Sequence, residues 1–193
     1  MATILILQGH PDAGGGHLCH ALADSYAAGA GAAGHRVMRV EVGALDLPLL
    51  RTQRDFLAAP PPPALAAARA ALVEAEHVVI FFPLWLGGMP AVLKGFLEQL
   101  LRPGFAFEYL PGGGTRTLLE GRSARVVVTM GMPGLVFRLW FLSAGLAALT
   151  RNILGFVGLA PVRATVLGGV EAVGAARRLR WLAQMEALGR SAC

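Results

Sequence analysis

The run TILILQ at residues 3–8 is apolar without interruption and stops at a glycine-rich loop, GHPDAGGG. A strand that keeps no polar face must be covered on both sides, the condition of a parallel sheet flanked by helices. The signature returns in HVVIFF (77–82), ARVVVTM (124–130) and VRATVLGG (162–169), while HRVMRVEV (35–42) alternates polar and apolar residues as a strand nearer an edge does. Helical stretches separate these strands. HLCHALADSYAAGAGAAG sets Leu18, Ala21, Leu22 and Tyr26 at helical spacing and stops at Gly34. Residues 64–75, 91–101 and 171–189 read as further helices, and a long apolar helical region follows the fourth strand.

Strand and helix alternating through five units force parallel pairing and right-handed crossovers. The expected fold is an α/β three-layer sandwich, one domain over residues 1–193, with a five-stranded parallel sheet in the order 2-1-3-4-5. Two stretches stand outside the alternation. GALDLPLLRTQRDFLAAPPPP reads as irregular, and the prolines at 60–63 exclude helix there; GFAFEYLPGGG reads as a short extended excursion ending in a turn.

Composition removes several function classes. The net charge of +5 and pI near 10.2 invite a nucleic-acid reading. The arginines are instead spread along the chain, Lys94 is the sole lysine, and the densest group, Arg177, Arg178 and Arg180, reads as the solvated face of the last helix. Mean hydropathy is +0.57, yet no uncharged apolar stretch reaches the roughly 18 residues of a spanning helix. The nearest, LWFLSAGLAALT, is bracketed by Arg138 and Arg151 and reads as a buried or interface helix. MATILILQGHPD lacks the positive start and apolar core of a secretory signal, so a cytoplasmic protein without a membrane span is expected. Cys19 and Cys193 do not make a disulfide framework. The abundance of alanine and glycine is assigned no function.

In the order 2-1-3-4-5, the loops after the first, third and fourth strands lie side by side at the carboxyl edge of the sheet, where such folds bind ligands. The first ends where a helix begins, and Gly14, Gly15 and Gly16 let backbone amides approach an anion such as phosphate. It is neither the dinucleotide fingerprint nor a Walker loop, and a plain turn is the alternative. The second, PLWLGG, holds Trp85 among Pro83, Leu84 and Leu86, followed by Gly87 and Gly88; it could carry a planar ring, or Trp85 could be a core aromatic. The third, GMPG, follows Thr129 and Met130, with Gly131 ending the strand and Pro133 stiffening what comes next. His10, His17, Cys19 and His20 crowd the first loop, but their spacing matches no zinc pattern and no metal is expected. Cys19, near a helix N-terminus, is either a redox thiol or a small buried hydrophobe.

GHPD after the first strand, FPLWLGGMPAVLKGFLEQLLRPGFAFEY after the third and TMGMP after the fourth resemble the NAD(P)H:quinone oxidoreductase family of flavodoxin-like flavoproteins. The resemblance covers nearly the whole chain and is most specific from Pro83 to Phe107. It implies a flavodoxin-like fold and a flavin, FMN or FAD. FMN is favoured because the chain ends without the C-terminal extension of larger FAD-binding relatives. It further implies NAD(P)H as co-substrate, ping-pong hydride transfer to a quinone or similar electrophile, and a homodimer. By the same resemblance, His10, Gly16, His17, Leu18 and Cys19 meet the ribityl and phosphate; Pro83, Leu84, Trp85 and Leu86 form the wall against the isoalloxazine; Thr129, Met130 and Gly131 follow the ring's polar edge. Relatives often carry Ser and Asn where this chain has Gly16 and Cys19, which shifts phosphate binding onto backbone amides. Larger quinone reductases also carry a Tyr and a His after the fourth-strand loop, and GMPGLVFRLWF has neither. Arg138, the first ionisable side chain after that strand, is the candidate to face the flavin or the nicotinamide phosphate as a catalytic substitute; an exposed or dimer-interface cation is the alternative. The alternative function, also implied by the family, is a flavin-binding regulatory subunit of a membrane transporter such as a potassium efflux system, docking through the apolar 135–157 region.

Overall fold

The computed structural model describes residues 1–192; Cys193 lies outside the described residues. Strand β1 (Thr3–Gln8) enters the centre of the sheet, helix α1 (Leu18–Ala32) returns, and β2 (Arg36–Glu41) pairs parallel on one side of β1. After a short α2 (Gln53–Ala58) and α3 (Ala66–Glu74), β3 (His77–Pro83) pairs on the other side of β1. Helix α4 (Ala91–Leu100) and a hairpin of β4 (Phe107–Tyr109) and β5 (Thr115–Thr117) precede β6 (Ser123–Met130). Two short helices, α5 (Gly134–Leu139) and α6 (Ala144–Ala147), and a π-helical turn over Ala148–Gly155 lead to β7 (Val162–Gly168), and α7 (Ala175–Ser191) closes the fold. The sheet order β2-β1-β3-β6-β7, all parallel, is the expected 2-1-3-4-5.

Alternation along each strand sends one apolar set to each face. Ile4, Ile6, Val79, Phe81 and Val127 pack under α1 and α7 with Leu22, Tyr26, Trp181 and Met185. Leu5, Leu7, Val78, Ile80, Val126 and Val128 pack under α3, α4 and the 134–155 segment with Leu72, Phe96, Phe137 and Leu149. Part of the glycine excess has a packing cause after all. A Cβ at Gly29 would stand 2.0 Å from the Glu186 carbonyl oxygen, and one at Gly189 2.1 Å from that of Tyr26, so α1 and α7 meet backbone to backbone.

Two expectations are corrected and one is extended. The stretch read as irregular contains α2, started by Thr52, whose hydroxyl accepts from the Asp55 amide at 3.0 Å. The excursion at 104–114 is extended and ends in a turn as expected, and it proves to be the first half of a hairpin whose second strand, Thr115–Thr117, carries no apolar alternation. The long apolar helix after the fourth strand is broken, with Leu142 and Ser143 both left-handed (φ 50° and 51°) between α5 and α6. Among the described residues, no helix is long and apolar enough to cross a membrane.

Candidate functional site

At the carboxyl edge of the sheet the loops after β1, β3 and β6 are tied to one another by backbone. The Gly9 amide donates to the Phe81 carbonyl at 2.7 Å, and the Leu84 amide to the Thr129 carbonyl at 2.8 Å. Trp85 and Gly88 exchange both backbone hydrogen bonds (2.9 and 3.0 Å) across Leu86 (φ 47°) and Gly87 (φ 80°). Two consecutive left-handed residues make this a type I′ turn, in which Leu is a strained choice. Leu86 is also fully exposed. The turn is braced from below, because a Cβ at Gly145 of α6 would lie 1.9 Å from the Gly87 carbonyl oxygen.

The turn forms one wall of an open concavity of about 470 Å³ lined by Leu84, Leu86, Gly87, Met130, Gly131, Met132 and Phe141. Its chemistry is apolar side chains with glycine backbone at the margin, which suits a planar ring packed on its face and hydrogen-bonded at its edge. Trp85 does not line it; the indole is half exposed and its backbone closes the turn. Thr129 lends only backbone, since its side chain is buried and hydrogen-bonds Cys19. Arg138 stands apart from this concavity. Phe137 is the buried residue of the six-residue α5, which leaves Arg138 exposed. It lines a separate groove with Gly134, Leu135, Ser143, Leu146, Ala164 and Val166, on the β7 side of α5.

The glycine loop after β1 is tied to the end of β3 through Gly9 and Phe81 and lies outside the lining of that concavity. Helix α1 starts at Leu18 with His17 extended at its N-cap and no side-chain cap, so the first-turn amides of Leu18 and Cys19 are left for an outside acceptor. Gly15 and Gly16 are left-handed (φ 81° and 77°), and a Cβ at either position would meet nothing within 4 Å. The side chains of Leu18 and Cys19 turn into the core. Burial pushes the Cys19 thiol up to about 12, against a smaller opposing effect of its bond to Thr129, so it is the small buried hydrophobe and not a redox thiol.

The structure assembles what the sequence leaves scattered, a cluster of imidazoles over this loop. His10 stacks on His17 with ring centroids 4.0 Å apart, and His20 lies 5.1 Å from His10 and 5.7 Å from His17. Asp12 accepts from His17 Nε2 at 2.8 Å, which holds its carboxyl below the usual range. Burial lowers His10, its backbone contact with Asp12 opposes that, and the charges of His17 and His20 lower it further. His20 is buried with both ring nitrogens unpartnered. Sequence reasoning dismissed His20 with the metal hypothesis; its spacing of one helical turn from His17 was the available signal. Among the described residues no group of three or more His, Cys, Asp or Glu is arranged to hold a metal ion. The other two histidines are structural: His77 Nδ1 meets Ser123 Oγ at 2.7 Å and burial lowers its pKa to about 4, and His35 joins the Ala2 amide to the Arg190 carbonyl.

With this geometry the comparisons with known proteins agree. The family described as having a flavodoxin-like fold matches residues 2–188, and the chain belongs to it. It is 34% identical over 91 residues to an FMN-dependent NADH:quinone oxidoreductase of Colwellia psychrerythraea, covering 47% of this chain and 45% of that one. It is 35% identical over 99 residues to the human ribosyldihydronicotinamide dehydrogenase [quinone], covering 46% and 41%. The chain thus spans less than half the length of either relative. Among solved structures, an NAD(P)H:quinone oxidoreductase from Methanothermobacter marburgensis superposes with a TM-score of 0.83 at 20% identity, covering 98% of this chain and 96% of that one, a likeness of fold.

Proposed function

We propose that the chain is a flavin-dependent NAD(P)H oxidoreductase that binds FMN and reduces quinones or similar electrophiles. The observation that carries the reading is the apolar concavity of Leu84, Leu86, Met130, Met132 and Phe141 beside a glycine loop that opens on the free amides of α1. One side is shaped for a flat ring and the other for its phosphate, and the relatives named as quinone oxidoreductases support a flavin-dependent reading.

When bound, the flavin supplies hydride acceptance and donation. The protein's part is placement. Leu84 and Leu86 would hold the ring and exclude water, the Gly131 and Met132 backbone would border it, and the Leu18 and Cys19 amides would receive the phosphate. One open concavity serves nicotinamide and acceptor in turn, the arrangement that gives ping-pong kinetics. Leu135, Leu139, Trp140 and Leu142 form an exposed apolar row around α5; in this reading a second copy covers it in a C2 homodimer.

The decisive experiment is the absorbance spectrum of the purified protein, with the released cofactor identified by mass, followed by NADH and NADPH oxidation at varied quinone. A yellow protein releasing FMN, with parallel double-reciprocal lines, is expected. A protein that stays colourless after incubation with FMN and FAD overturns the reading. Light scattering on the holoprotein tests the dimer, which a fully active monomer rejects.

A further inference from the structure

We propose that His10, His17 and His20 form a proton-linked clamp on the phosphate end of FMN, so that the cofactor binds with proton uptake and its affinity falls as the solution becomes alkaline. The inference rests on the flavin reading above and adds to it a chemical reason for three histidines to stand where amides alone would suffice.

The geometry carries it. Three imidazoles with centroids 4.0, 5.1 and 5.7 Å apart repel one another when protonated. A dianion placed over the α1 amides removes that repulsion and favours the charged forms. His20 makes the case specific. A buried imidazole whose two nitrogens both lack partners bears a desolvation cost that a structural histidine such as His77, bonded to Ser123, partly avoids. His20 lies in the first turn of α1 with its ring centroid 5.1 Å from that of His10.

The surrounding charges leave the cluster in control. Asp12, from the same loop, is the carboxylate paired with His17 and competes with an incoming phosphate. The Cys19 thiol stays neutral. On α1 and β2, Asp24 and Glu41 are both engaged by Arg39. Beyond β6, Glu171 lies near Gly131, and on α7 the Arg178 guanidinium donates to the Val170 carbonyl while Arg177 lies over Trp181.

The sign follows from linkage. Imidazoles whose pKa rises on binding take up protons, so affinity is highest below the free-state pKa values and is lost as pH rises through the bound-state ones. A phosphate monoester loses its second proton near about pH 6. Above that value its own ionisation can only strengthen binding to a cation, so weakening in that range reports the protein.

The test uses protein stripped of flavin and titrated with FMN and with riboflavin, which lacks the phosphate, at pH 6.5 and pH 8.5. Calorimetry is run in two buffers of different ionisation enthalpy. FMN is expected to bind about tenfold more weakly at the higher pH, a change of about 1.4 kcal/mol, with proton uptake at the lower pH, while riboflavin changes less than about twofold. The exposed substitution His17→Gln should flatten the FMN dependence, and Asp12→Asn should tighten FMN at both pH values. Two flavins that bind with equal pH dependence and without proton uptake overturn the clamp and leave the flavin reading standing. Failure of both to bind overturns both.

Discussion

The two sides of the candidate site, the glycine loop and the apolar turn, are built on opposite principles. The glycine loop is polar, made of backbone amides and three imidazoles, and its conformation is easy: glycine occupies its left-handed positions Gly15 and Gly16. The turn after β3 is apolar and its conformation is costly, because Leu86 occupies a left-handed position that Asn or Gly would fill without strain. A strained, fully exposed leucine persists only where the surroundings enforce it, and here the enforcing contact is the approach of Gly145 to the Gly87 carbonyl. One side is made by leaving groups free and the other by clamping a side chain in place. The first should tolerate substitution in fold and respond to pH; the second should be sensitive in fold and indifferent to pH.

The largest expected effect breaks the clamp. Gly145→Val places carbon where the Gly87 oxygen stands 1.9 Å away. Overpacking against backbone is expected to cost about 3 kcal/mol, measured as a shift in the urea midpoint, and flavin binding should be lost with the turn. A stable variant that binds flavin normally would show that the turn holds itself and that the contrast between the two sides is false.

Leu86→Asn separates strain from use. Asn accepts the left-handed conformation, so stability should rise by about 1 kcal/mol, while loss of an apolar wall residue should weaken flavin by about fivefold, also close to 1 kcal/mol. Opposite signs in thermal unfolding and fluorescence titration are the expected outcome. A gain in both would place Leu86 outside the site.

Much of this architecture was legible in the chain. Uninterrupted apolar runs at 3–8, 77–82 and 124–130 announce strands buried on both faces, and the sheet order follows from the crossover rules. What stayed hidden depends on contacts between distant residues. The apolar region at 135–157 carries no proline, and its interruption at Leu142 and Ser143, ahead of either glycine in it, is visible only in three dimensions. Nothing local marks Gly29, Gly189 or Gly145 as a point of backbone contact. Trp85, the most conspicuous residue of its loop, closes the turn through its backbone while its quieter neighbours Leu84 and Leu86 line the concavity. Residue size draws attention to Trp85, whereas the concavity is lined by its neighbours.

That distinction sets the next prediction. An indole half exposed and outside the lining should matter less than its size suggests, so Trp85→Ala is expected to weaken flavin by about threefold with the fold intact, under about 1 kcal/mol. A loss of a hundredfold or more in a fluorescence titration would mean that the indole swings onto the ring when flavin binds.

The smallest effect concerns Arg138, which lies outside the lining of the concavity. As the first ionisable residue after β6, it is the natural substitute for the Tyr and His of larger quinone reductases. In the fold, α5 buries Phe137 and leaves Arg138 exposed in the groove beside Ala164 and Val166, which shares no lining residue with the concavity of Met132 and Phe141. An exposed cation in water acts weakly on a neighbouring site, because solvent and salt screen it. Arg138→Met is therefore expected to leave flavin affinity and the stopped-flow rate of flavin reduction by NAD(P)H within about twofold of the parent, less than about 0.5 kcal/mol. A tenfold slower reduction with flavin still bound would restore Arg138 as a group facing the nicotinamide phosphate and would require the groove beyond α5 to be part of the site. Equal rates would leave the Gly131 and Met132 backbone as the polar edge of the apolar wall.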